Sequence, residues 1–183
     1  CSGTVFIVTV SRLIVLTSTL TLNHTIPLPD TATCADFSTK HAFMVAGTAT
    51  GSLLLVDLRA RLLVTTTTAA TPHAIRHLCL HADWSARSDH KRPRVWIATA
   101  DGLHLVDAVN GARHRTASAT GCTLVKTTMG AHHVLFVDDV GVEYYDYRMD
   151  RRVRFGCVRP RGIEYLEGAV FVCCENNHSL LLY

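Results

Sequence analysis

The sequence predicts an all-β protein: a β-propeller of four-stranded antiparallel blades, present as an incomplete array of about four to five blades. The first observation behind this is a phrase in which a turn glycine precedes an aliphatic run that stops at aspartate. It reads Gly51-Ser52-Leu53-Leu54-Leu55-Val56-Asp57, returns as Gly102-Leu103-His104-Leu105-Val106-Asp107 and as Gly141-Val142-Glu143-Tyr144-Tyr145-Asp146, and has weaker copies at 12–17 and 178–183. The second is spacing: Thr17, Asp57, Asp107 and Asp146 lie 40, 50 and 39 residues apart, the period of a blade of four short strands. The third is content, since the runs between turns are β-branched, aliphatic or aromatic and lack the 3.6-residue periodicity of helical repeats.

Each unit supplies its strands in order. Residues 3–10 form a continuous β-branched and aromatic run, read as a buried strand. Residues 12–17 make the next strand after a turn at Ser11-Arg12. Residues 20–28 alternate Leu20, Leu22, His24, Ile26 and Leu28 with polar or small neighbours, the period-two pattern of a strand with one wet face. The second unit reads as strands at 33–37, 42–47, 52–57 and 61–68, the third at 75–80, 94–99, 103–107 and 113–118, and the fourth at 122–127, 132–137, 141–146 and 151–157. The polar stretch 83–93, ended by Pro93, reads as an inserted surface loop and accounts for the spacing of 50. Strands at 162–166, 169–174 and 179–183 begin a fifth unit. The units run over about 1–30, 31–71, 72–120, 121–160 and 161–183. Unit one then lacks its innermost strand and unit five its outermost, so further blades are expected from a longer chain or a partner. The opening residue, Cys1 rather than Met, fits processing or a segment of something longer.

The chain resembles a β-propeller of the WD-repeat type. The segment Ala32-Thr33-Cys34-Ala35-Asp36-Phe37-Ser38, then Phe43-Met44-Val45-Ala46-Gly47-Thr48, then Thr50-Gly51 and Leu55-Val56-Asp57-Leu58-Arg59 follows the first three strands of such a repeat. Val56-Asp57 and Tyr145-Asp146 stand in the place of that family's Trp-Asp pair. Tryptophan is absent from these sites and the Gly-His dipeptide that opens such repeats is missing, so the resemblance is to a divergent member. A citron-homology type propeller would share the architecture.

Composition narrows the class. A hydrophobic fraction of 48% with 18% charged residues suits a globular chain, and no run approaches the ~20 apolar residues of a membrane-spanning helix. Seven cysteines, irregularly placed inside apolar strands and without Cys-x-x-Cys, point to a reducing, intracellular compartment.

Candidate chemistry is sparse. His77, Cys79 and His81 alternate on one strand, with His73 upstream, but three such positions spread over ~13 Å, too far for one ion to touch all three, so no metal site is assigned. Cys173-Cys174 reads as a pair of buried small hydrophobes. No Gly-x-Ser-x-Gly, Gly-x-Gly-x-x-Gly or phosphate-binding loop occurs, Asp138-Asp139 fits a turn, and no catalytic residue or cofactor is expected. Asp57, Asp107 and Asp146 are expected to cap turns through backbone N–H groups.

The charge is lopsided. From Arg148 to Arg161 six arginines face one aspartate, a balance of +5 in a chain whose net charge is +3. Arginine forks suit carboxylates and phosphates, whereas charge on an outer strand also discourages edge-to-edge pairing. Arg148, Arg151, Arg152, Arg154, Arg159 and Arg161 are the candidate partner-binding residues, with Arg152 and Arg154 expected to face outward while Val153 and Phe155 pack inward. By analogy with WD-repeat proteins, the expected function is a non-catalytic protein-interaction scaffold within a larger intracellular complex. The alternative is a ribonucleoprotein propeller that binds RNA phosphates through the basic rim.

Overall fold

The computed structural model describes residues 4–38, 41–68, 70–81, 93–127, 133–155, 160–166, 169–174 and 178–181. The expected insertion at 83–93 thus lies, except for Pro93, outside the described residues, as do Cys1 and Cys157. Every regular element described is a strand. β1 (Val5–Val8), β2 (Arg12–Leu16) and β3 (Leu22–Pro27) form the first sheet, and β4 (Ala32–Ser38), β5 (Phe43–Thr48), β6 (Leu53–Asp57) and β7 (Leu62–Thr67) the second. The third holds β8 (His77–Leu80), β9 (Arg94–Thr99), β10 (Gly102–Asp107) and β11 (Arg113–Ala117). The fourth holds β12 (Leu124–Thr127), β13 (His133–Val137), β14 (Val142–Asp146) and β15 (Arg151–Phe155), and the last β16 (Pro160–Leu166), β17 (Ala169–Cys174) and β18 (His178–Leu181). All neighbours pair antiparallel in chain order, the meander that short turns enforce.

The sheets stack face on face, so the middle strands are buried on both sides and read as unbroken apolar runs. In β6, Leu53 and Leu55 join the core shared with the third sheet, and Leu54 and Val56 that shared with the first. Two further cores lie between the third and fourth sheets, around Trp96 and Phe136, and between the fourth and last, around Leu135 and Val172. Each fully buried Leu or Val contributes roughly 1.5–3 kcal/mol, which makes these cores the main source of cohesion. β4 packs on β8, β8 on β12 and β12 on β16, so the first strands line the inner side of the array and the fourth strands its periphery. β6, β10 and β14, which carry the repeated phrase, are each the third strand of their sheet.

Three expectations are corrected. The 3–10 run is not a buried strand: Val5 and Ile7 are 38% and 43% exposed, because only Phe6 and Val8 meet the core shared with the second sheet. Leu20 and Leu22 do not share the facing of Ile26 and Leu28. Leu20 sits in a turn at φ +60° and Leu22 is exposed, with a register shift between Val15 and Leu16 interrupting the alternation. Val153 does not pack inward and is 51% exposed, since it lies opposite Tyr144 towards the last sheet, beyond the reach of that sheet's core.

Candidate partner-binding site

The arginine-rich stretch follows β14 through a tight turn. Asp146 closes that turn, its Oδ1 accepting from the N–H groups of Arg148 and Met149 at 3.0 and 3.1 Å, while Asp150 adopts φ +52°. Burial works against ionisation of Asp146, but those N–H donors and His133 outweigh it and hold the carboxyl below its ordinary value. β15 then pairs with β14 as Asp146 to Arg151, Tyr145 to Arg152, Tyr144 to Val153 and Glu143 to Arg154. Directly paired residues share a face, so Arg152 and Arg154 stand with Tyr145 and Glu143 towards the third sheet.

That face is an ion-pair network. Glu143 is 3% exposed. Its Oε1 accepts from Arg154 Nε at 2.7 Å and also from Arg154 Nη2, and Arg152 Nη1 stands 3.8 Å from Oε2. Arg154 also lies 3.6 Å from Asp138 Oδ2. Arg152 donates to the Ser118 carbonyl of the third sheet at 2.9 Å and rests over the Tyr145 ring at 5.3 Å from its centroid. The expected outward presentation of Arg152 and Arg154 is therefore modified: both are partly solvent-accessible, yet their guanidiniums neutralise carboxylates of their own sheet. Arg148 and Arg151 differ. Both are exposed at the turn end of the hairpin, beside Met149 and Val153, which are 63% and 51% exposed. Among the described residues no hydrogen bond or ion pair of their guanidiniums is formed. Arg161 lies on β16, lining a cleft of about 570 Å³ with Asp138 and Asp139. Arg159 lies outside the described residues. The structure thus separates the stretch into a turn that exposes Arg148, Arg151 and Met149, with Asp150 bound to the Tyr145 hydroxyl, at one end and mixed-charge clefts at the other.

The remaining candidates resolve into packing and turn chemistry. His77 Nδ1 accepts from the Val125 N–H at 3.4 Å, Cys79 is buried in the core between the third and fourth sheets, and His81 Nε2 lies 2.6 Å from the Tyr147 hydroxyl. Among the described residues no group of three or more metal-ligating side chains converges. Burial raises the thiols of Cys34 and Cys122 to about 11 and about 12 and moves Cys79 in the same direction, so all three stay protonated and unreactive at neutral pH. Cys173 is exposed rather than buried because it points away from the Val170 and Val172 face. Asp57 and Asp107 cap their turns as Asp146 does, each Oδ1 accepting from the N–H groups two and three residues on. Asp138 likewise receives Val140 and Gly141.

One buried polar pattern was missed by the sequence reading. By the pairing register, Leu54, His104 and Glu143 occupy the same position of the third strand, facing the preceding sheet, and their cross-strand neighbours are Thr66, Thr116 and Arg154. His104 lies 3.2 Å from Thr116 Oγ1 and 3.3 Å from Asp101 Oδ1, and Asp101 also accepts from Thr99 Oγ1. The signal available in the sequence was a polar residue inside the repeated phrase, matched by a hydrogen-bonding partner on the following strand, 12 residues on for His104 and 11 for Glu143.

No family model matches this chain, and no curated protein does. Its fold is nevertheless found among solved structures. A chain of Kuenenia stuttgartiensis hydrazine synthase superposes with a TM-score of 0.72 at 13% identity, covering 92% of this chain and 51% of that one. The WD40 domain of Neurospora crassa Pan2 superposes with a TM-score of 0.72 at 10% identity, covering 96% of this chain and 57% of that domain's chain. The chain spans about half the length of the structures it matches, and at these identities the likeness shows the fold alone. With the stacked four-stranded sheets, it shows a WD40-like β-propeller fold. Among the described residues no helix is long and apolar enough to cross a membrane.

Proposed function

We propose that this WD40-like blade array is a non-catalytic interaction scaffold within a multi-subunit intracellular assembly, and that it contacts an acidic protein surface through its arginine-rich stretch. The observation that carries the reading is the turn end of the β14–β15 hairpin, which exposes Arg148, Met149, Arg151 and Val153, while Asp150 accepts from the Tyr145 hydroxyl at 2.9 Å. Arginine and methionine are enriched at protein interfaces, and an apolar centre with a cationic rim suits a protein partner better than bare phosphate. Arg152, Arg154 and Arg161 add to the local field, and Arg159 belongs to the same stretch by sequence. Scaffolding itself comes to this chain by analogy with its fold, which by itself does not fix function.

The test is charge reversal where it does not break the fold. Replacing Arg148 and Arg151 with Glu is expected to shift stability by only ~0.5 kcal/mol and to remove partners that co-purify with the wild type. Retention of the same partners at the same salt concentration would show that the charge serves edge protection instead. Binding to a uridine homopolymer that falls steeply with rising salt would replace the protein reading with the phosphate one.

A further inference from the structure

The junctions between neighbouring sheets are not sealed alike. On the fourth strand of each complete sheet, the residue paired with the last apolar residue of the phrase is Leu63 opposite Val56, Arg113 opposite Val106 and Arg152 opposite Tyr145. In the third sheet, Arg113 donates from Nε and Nη2 to the Ala70 carbonyl at 3.4 Å. In the fourth, Arg152 donates to the Ser118 carbonyl at 2.9 Å. Each arginine thus bridges from the periphery to the chain leaving the outer strand of the preceding sheet. Leucine cannot make that bridge. At the junction of the first and second sheets the structure leaves a cleft of about 450 Å³, walled by Ile26, Leu28, Pro29 and Leu63, with His24 and Arg61 at its rim.

We propose that this cleft receives an extended peptide segment of a partner protein, which inserts apolar side chains beside Leu63 and sets an acidic side chain against Arg61. The volume lies within the range of small ligand sites, ~300–1,000 Å³. Charge complementarity selects the occupant. Among the described residues the titratable groups lining the cleft are His24 and Arg61 and no carboxylate lines it, and Arg61 Nη1 donates to the neutral Asn23 Oδ1 at 3.3 Å. The cleft also opens between β3 and β7, the outer strands of their sheets, whose outward edges offer unpaired backbone groups to an extended chain. This surface is separate from the arginine-rich turn and stands independently of it.

The experiment titrates the full chain with a fluorescein-labelled decapeptide carrying two leucines flanked by glutamates in a glycine–serine background, followed by anisotropy. Controls replace the leucines with serine or the glutamates with lysine. Leu63→Arg installs the bridging residue of the other two junctions and is expected to abolish binding while leaving the melting temperature near that of the wild type. Arg61→Glu is expected to weaken the acidic peptide at least tenfold and to favour the lysine peptide. The Arg148→Glu/Arg151→Glu variant is expected to bind as the wild type does. If the acidic peptide binds no better than its serine control, or if folded Leu63→Arg or Arg61→Glu binds it as tightly as the wild type, the proposal fails. Loss of binding in the Arg148→Glu/Arg151→Glu variant would also overturn it, by placing the peptide on the arginine-rich turn. Should Leu63→Arg not fold, Arg61→Glu decides alone.

Discussion

Replacing Arg154 with alanine should destabilise the protein far more than its half-exposed position on an outer strand implies. Arg154 supplies both hydrogen bonds to Glu143 Oε1, and Oε2 has no hydrogen-bond partner, with Arg152 Nη1 3.8 Å away. Removing one partner of a buried ion pair costs about 3–5 kcal/mol. Arg152 remains to compensate and solvent reaches Arg154 itself, its side chain being 49% exposed, so the expected loss is ~2–3 kcal/mol. For a domain of this size that lowers the melting temperature by about 4–12 °C. The second sheet supplies the internal control, because Leu54 opposite Thr66 fills the same pair of positions without charge. Glu143→Leu/Arg154→Thr should therefore recover most of the loss, to within about 1 kcal/mol of the wild type. Urea and thermal unfolding of the three proteins, followed by far-UV circular dichroism, measures the set. A loss below ~0.5 kcal/mol for Arg154→Ala, or a double variant no better than the single, would refute the reasoning.

Two further outcomes are expected. Burial lowers the pKa of both His104 and His77 beneath the ordinary value of 6.5. The unfolded chain then binds more protons than the folded one below that value, so stability holds above pH ~6.5 and falls as pH drops beneath it. Melting temperatures between pH 7.5 and 5.5 should show this decline, and His104→Gln should flatten it; a wild-type melting temperature unchanged across that window would contradict the assignment. The exposed face of the first sheet should make the isolated chain prone to association. Val5, Ile7, Ile14 and Leu16 correspond by register to Met44, Ala46, Leu54 and Val56, which are fully buried beneath that same first sheet, and uncovered apolar faces of this kind drive association. Val5→Lys/Ile7→Lys should raise the monomer fraction in size-exclusion chromatography, whereas a monomeric wild type with a sharp thermal transition would count against the expectation.

The third strands were legible because they are buried on both faces, which forces unbroken apolar runs at fixed spacing, and because an aspartate capping its own turn acts through neighbours two and three residues away. Both signals are local. The direction of a charged side chain on an outer strand is not. Arg152 and Arg154 alternate with Val153 and Phe155, and alternation alone cannot say which set faces the neighbouring sheet; that was decided by Glu143, eleven residues upstream of Arg154, which needed a cation. The exposure of Val5 and Ile7 was equally out of reach, since β-branched content reports a strand but not whether a second sheet lies across it.

The same limit explains why the open cleft could not be seen in advance, although its cause is a single position. Leu63, Arg113 and Arg152 sit in segments that look unrelated, Leu-Leu-Val-Thr, Arg-His-Arg-Thr and Arg-Arg-Val-Arg, yet the pairing register sets each opposite the last apolar residue of its phrase. The β-bulges between Leu55 and Val56 and between Leu105 and Val106, which the fourth sheet lacks, fall beyond these pairs, so the equivalence holds in all three sheets, but the sequence does not show what each side chain reaches. Once the positions are matched, the junctions separate by the reach of the side chain. A guanidinium extends to a backbone carbonyl of the preceding sheet and seals the periphery, whereas leucine stops short and leaves an apolar slot. Repeats that share a core can thus differ in what they offer to a partner through one peripheral residue, and the cost to the fold is small because that residue lies outside the buried middle strands.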